Sequence, residues 1–269
     1  MKAMAVSKSK IKWLVGLILV LYILILLGPQ MLLAAIGIKD PLLSLIDLAI
    51  QVIFWLAFIP LITKIPEGSF SIGKYLRFIR ISAQKPAPKN LLLGVLIGVI
   101  SISCFGLLSI AFFDYSFDLK LILPPQSWRL LWANTGAIFE EIAIRGVILS
   151  LLLLIYEDKK ALVISAVIFG LGHYLTFFLG DTLLESSIRV IYAILLGLVF
   201  GSLAIKTNSL YPSMIAHILI NSLSSSFAGG SAMGADIPFL ISTILTLMIS
   251  YPLINFFNLQ KKPAAALTS

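Results

Sequence analysis

Eight apolar runs, most of them long enough to cross a bilayer, commit this chain to a bundle of membrane-spanning helices. They cover roughly 12–36, 42–63, 91–113, 130–155, 161–179, 188–205, 209–227 and 237–257. A spanning helix needs about 20 predominantly apolar residues. Composition agrees, because only 12% of the residues are charged, whereas a soluble domain carries about 25%. Mean hydropathy is +1.05. The expected fold class is therefore all-α, a polytopic transmembrane helical bundle of about eight spans, and an integral membrane protein forming one domain over 1–269.

The net charge of +8 invites a nucleic-acid reading, but its distribution argues against one. With a cytoplasmic N-terminus, the cytoplasmic segments hold Lys2, Lys8, Lys10, Lys12, Lys64, Lys74, Arg77, Arg80, Lys85, Lys89, Lys159, Lys160, Lys206, Lys261 and Lys262, while the other side holds Lys39, Lys120, Arg129 and Arg189. The positive-inside rule then places both termini in the cytoplasm. The lysines before Trp13–Leu27 resemble the start of a signal peptide, yet the apolar run is long, so a permanent first span broken at Pro29 is expected. A single cysteine, Cys104, allows no intramolecular disulfide and reads as a packing residue.

The connection 64–90 interleaves Tyr75, Leu76, Phe78, Ile79 and Ile81 with Lys74, Arg77 and Arg80. That pattern predicts a basic amphipathic helix lying in the cytoplasmic interface against membrane lipid. Lys85–Lys89 predicts a stiff Pro-bearing turn. Pro124-Pro125 excludes one continuous helix over 114–126, and Ser186–Ser187 is expected to separate the fifth and sixth spans. Trp13, Trp55, Trp128 and Trp132 read as interfacial belt residues. The tail 260–269 reads as disordered.

Charges inside spans cost from about 2.5 to more than 10 kcal/mol, so those that occur usually face a protein interior and mark function. Glu140, Glu141 and Arg145 lie in the fourth run, His173 in the fifth, His217 and Asn221 in the seventh. Glu141 and Arg145 are one helical turn apart and can pair. Glu140 is rotated from Glu141 by about 100°, so the two carboxylates have different tasks. One is neutralised by Arg145; the other is available as a general base. His217 and Asn221 also share a face and suit an oxyanion. Gly170 and Gly172 allow another helix to approach His173. Asp47 shares a face with Gln51 and reads as structural.

Phe139-Glu140-Glu141-x-x-x-Arg145, Phe169-x-x-x-His173 and His217-x-x-x-Asn221, in that order on three spans, resemble the CPBP (CAAX protease and bacteriocin-processing) intramembrane proteases, and within them the Ras-converting-enzyme-type CAAX prenyl endopeptidases. The resemblance implies a motif core over 130–227 and a hydrolase that removes a C-terminal tripeptide from prenylated CAAX proteins. It implies Glu140 as the catalytic glutamate that activates water and His173 as the group that positions it. His217 and Asn221 would bind the oxyanion, with Glu141 and Arg145 as a supporting pair that orients Glu140. An apolar cavity beside them would hold the isoprenoid.

Metal involvement has two readings. Zinc would take Glu140, His173 and His217 and leave a fourth position open. The chain has no HExxH, and its histidines come from separate spans with no evident carboxylate behind each, so a metal-free, glutamate-activated water is expected. Two other classes compete with the enzyme: a transporter, which often carries inverted repeats that are not evident here, and a non-catalytic scaffold or immunity protein on the same fold.

Overall fold

The computed structural model describes residues 7–38, 42–64, 71–81, 88–121, 136–229 and 236–257. Helices in chain order are α1 (Lys8–Ala35), α2 (Leu42–Ile53), a π-helical turn (Phe54–Phe58), α3 (Ile59–Thr63), α4 (Ile72–Phe78) and α5 (Pro88–Phe112). A helical stretch, α6 (136–141), then runs into a second π-helical turn (Ile142–Ile148) and α7 (Leu149–Leu152), followed by α8 (Asp158–Gly172), α9 (Leu175–Phe178), α10 (Leu183–Thr207), α11 (Tyr211–Ser224) and α12 (Asp236–Phe256). Six stretches are long and apolar enough to cross a membrane: Lys8–Leu33, Leu45–Thr63, Pro88–Phe112, Asp158–Phe178, Leu183–Thr207 and Ile237–Phe256. The two remaining predicted spans are the motif-bearing helices, 136–152 and α11. Every residue from Glu141 to Leu152 is buried, so the first of these is a core rod wrapped by the others, as expected for a helix apolar on all sides.

Two apolar clusters organise the packing. One joins α1, the first π turn, the segment 71–81, the rod 136–152 and α8. The other joins α5, α10, α11 and α12. Glycine allows a close crossing of α5 and α11: a Cβ on Gly94 would lie 2.5 Å from the Pro212 carbonyl at the start of α11. A two-stranded antiparallel ribbon, β1 (Tyr115–Phe117) with β2 (Phe227–Gly229), pairs Ser116 with Ala228 and ties the ends of α5 and α11 together. This small sheet lies outside the all-α expectation but leaves the helical class intact.

Several local expectations need correction. α1 continues through Pro29 instead of breaking. Proline has no N–H to give the Ile25 carbonyl four residues back, and the Gln51 side chain supplies that donor at 2.9 Å. Gln51 also accepts from the Trp55 indole at 3.1 Å, so Trp55 is fully buried in the bundle and no belt residue. Trp13 is exposed; Trp128 and Trp132 lie outside the described residues, as do Pro124-Pro125, Lys85–Ala87 and the tail. Ser186 and Ser187 lie inside α10, which begins earlier at a capping box. There the Thr182 hydroxyl accepts from the Glu185 amide at 3.2 Å and the Glu185 carboxylate accepts from the Thr182 amide at 2.8 Å.

The basic segment also departs from the interfacial picture. Lys74 and Arg77 are exposed, but Tyr75, Phe78 and Ile79 are buried against the bundle. α4 closes with the Arg80 amide on the Arg77 carbonyl and the Ile81 amide on the Leu76 carbonyl, the two bonds of a Schellman motif. Its left-handed position, normally glycine, is Arg80 at φ +62°. Non-glycine residues there cost about 1–2 kcal/mol.

Candidate active site

Helix 136–152 fixes the acids. Between Ile142 and Ile148 it widens to the i+5 pattern, ending with the Leu149 amide on the Ile144 carbonyl. Such π turns are often found at functional sites. The Glu141 and Arg145 side chains are both 0% exposed and joined at 2.9 Å. Glu140, by contrast, is 25% exposed. Adjacent carboxylates thus occupy different surroundings, one sealed and charge-compensated, the other open.

His217 of α11 joins them. Its Nδ1 lies 3.1 Å from the same Glu141 Oε1 that holds Arg145, and its Nε2 lies 3.8 Å from Glu140 Oε2. A carboxylate only accepts, so Nδ1 carries the hydrogen and the Nε2 edge is turned toward Glu140. Glu141 therefore orients His217 directly, a different connection from the one implied by resemblance, in which it orients Glu140. An aromatic box surrounds the cation: the Arg145 guanidinium carbon is 4.0 Å from the Phe169 ring centroid and 5.4 Å from that of Phe200. Phe200 also stacks on His217 at 5.1 Å.

His173 is the C-cap of α8 and lies within the apolar stretch Asp158–Phe178, where the chain turns before α9. Its Nδ1 donates to the Phe169 carbonyl at 3.0 Å, which leaves Nε2 as the available edge. It lies within electrostatic reach of both Glu140 and His217. Gly170 allows this placement, since a Cβ there would sit 2.8 Å from the Val190 carbonyl of α10, whereas Gly172 has nothing within 4 Å. Asn221, one turn beyond His217, is exposed, and its carbonyl accepts from Ser224 and Ser225. The structure thus gathers Glu140, Glu141, Arg145 and His217, sets His173 beside them, and leaves Asn221 at the edge.

Both histidines have partners behind them: His217 has the Glu141 carboxylate, contrary to the expectation from sequence, whereas His173 has the Phe169 backbone carbonyl and no carboxylate there. Metal-bound histidines are held in that way. Among the described residues, however, no three His, Cys, Asp or Glu side chains are grouped closely enough to hold an ion.

Reading the sequence missed Phe200, which looks like any other apolar residue of α10, and Tyr22 of α1, whose phenol lies within electrostatic reach of Glu140, Glu141 and Arg145. It also missed Arg80. That guanidinium donates to the Arg145 carbonyl at 3.2 Å and to Ser150 Oγ at 2.6 Å.

Residues 123–223 match the model of the family described as type II CAAX prenyl endopeptidase Rce1-like. All six motif residues fall within that segment. No curated protein matches the chain.

Proposed function

We propose, from the premise of that Rce1-like match, that this integral membrane protein is an intramembrane endopeptidase that removes the C-terminal tripeptide from prenylated CAAX substrates by glutamate-activated water. The observation that carries the reading is the division of labour between the adjacent acids. Glu141 is sealed and held by Arg145 and His217, while Glu140 opens beside the His217 Nε2 edge.

In this reading Glu140 takes a proton from water as the water oxygen attacks the scissile amide carbon. The oxyanion that forms accepts from the Asn221 side-chain amide at the open edge and from His217 Nε2, a bond that requires the imidazolium form with both ring nitrogens protonated. Collapse breaks the C–N bond, and the proton held by Glu140 passes to the leaving amine. The products are a shortened prenylated chain with a new carboxylate and a free tripeptide. His173, with Nδ1 committed to a backbone carbonyl, offers Nε2 to position the water. General-base catalysis of this kind contributes about 10²–10⁴-fold.

Detergent-solubilised protein incubated with a farnesylated CAAX peptide tests the reading by mass spectrometry. Release of the intact C-terminal tripeptide is expected. An uncut peptide, or cleavage at another bond, contradicts it. Activity is also expected without stoichiometric zinc, and elemental analysis showing about one zinc per chain that tracks activity across preparations would replace this mechanism with a metal-assisted one.

A further inference from the structure

We infer that Arg80 is a positioning residue for the Glu140 site: from outside the site it clamps the π-helical turn that sets where the two acids and Arg145 lie. For the reaction itself the inference rests on the function proposed above.

Arg80 occupies a backbone position that favours glycine, so its side chain must justify the residue. That side chain crosses to the rod 136–152. One guanidinium nitrogen bonds the Arg145 carbonyl and Ser150 Oγ, and the Ser150 hydroxyl in turn donates to the Phe78 carbonyl at 3.0 Å. The geometry of the π turn explains the need. The Leu149 amide is spent on Ile144, and α7 resumes the i+4 step from there. If the Ser150 amide follows that step to Gly146, the Arg145 carbonyl is passed over, and a buried carbonyl needs a donor. Arg80 provides one with a charge, which makes the bond stronger than a neutral one. Burial pushes its guanidinium down to about 10, with Asp158 opposing, so it stays charged at neutral pH.

The same residue reaches the histidine side of the site. The Arg80 carbonyl accepts from the Leu210 amide at 3.2 Å, immediately before α11, which carries His217. Ile79 and Leu210 together cover Gly146 in the π turn, each within 3.2 Å of where a Cβ would be. One turn of chain thus holds the acid-bearing helix and the histidine-bearing helix in register, without its side chain being a partner of Glu140 or His217.

Arg80→Gly is the test, because glycine suits the left-handed backbone and removes only the side chain. With the farnesylated peptide, Arg80→Gly is expected to lower kcat roughly 10- to 100-fold, the range a small misplacement of catalytic groups produces, with KM within about twofold. Arg80→Lys should recover part of that loss, and Tyr75→Phe, which alters the other π turn, should keep kcat within about twofold. An unchanged kcat in Arg80→Gly, or equal kcat losses in Arg80→Gly and Tyr75→Phe, overturns the inference. Hydrogen exchange of 142–152 in detergent gives a second readout that does not depend on activity. Faster exchange in Arg80→Gly than in wild type is expected, and identical exchange overturns the clamp. If wild type releases no tripeptide, the proposed function fails by itself, and exchange alone decides the clamp.

Discussion

At Phe54–Phe58 and again at Ile142–Ile148 a helix widens to the i+5 pattern, and each time a side chain from the segment 71–81 donates to a carbonyl within the widened stretch. In the first turn the cause is legible. The Ile59 amide bonds the Phe54 carbonyl, so the next carbonyl, Trp55, would look to residue 60, a proline with no N–H. The Tyr75 hydroxyl fills the gap at 2.8 Å. No proline lies in the second turn, its donor is a cation, and the helix beside it carries Glu140 and Glu141. The first π turn accommodates a proline, whereas the second places an open acid next to a sealed one. The same deformation serves packing in one place and a site in the other, and what separates them is the charge around them.

Truncations sharpen that contrast. Glu141→Ala strands the buried Arg145 and removes the partner of His217 Nδ1, so it should cost about 3–5 kcal/mol, read as a lowered thermal midpoint in detergent and poor expression. Unchanged stability there would mean that the second turn is no more charge-dependent than the first. Gln51→Leu removes the donor to the Ile25 carbonyl and the acceptor of the Trp55 indole, at about 1–3 kcal/mol for each group left unsatisfied. It should lower the midpoint while leaving the rate per folded molecule intact. Tyr75→Phe strands only the Trp55 carbonyl, so a loss of about 1 kcal/mol is expected, again without effect on rate. A rate loss in Gln51→Leu that outruns its instability would show that the first turn is coupled to the site after all.

Much of this was readable from residue order. Apolar runs marked the helices because hydrocarbon admits few alternatives, and the i, i+4 spacing of Glu141 and Arg145 gave the ion pair found at 2.9 Å. The separation of Glu140 from Glu141 followed from helical rotation alone. What stayed hidden was set by tertiary contact. A helix apolar on every side has no stripe to show which face meets Phe200 or where its pitch will change. Arg80 sits in a run of basic residues that reads as lipid-facing, and only the left-handed turn at the end of α4 rotates it inward. The break at His173 was only hinted at by Gly170 and Gly172, and the Thr182-x-x-Glu185 capping box that moves the start of α10 was present in the chain but overlooked beside two serines.

We propose separate jobs for the two neighbouring glutamates, and one paired assay tests that division. Tripeptide release by Glu140→Gln and Glu141→Gln proteins, each normalised to its folded fraction, should show Glu140→Gln slowed about 10²–10⁴-fold with wild-type stability. Glu141→Gln should be less stable but retain more of its rate per folded molecule. Near-full turnover by Glu140→Gln, with turnover lost in a well-folded Glu141→Gln, would reverse the two roles.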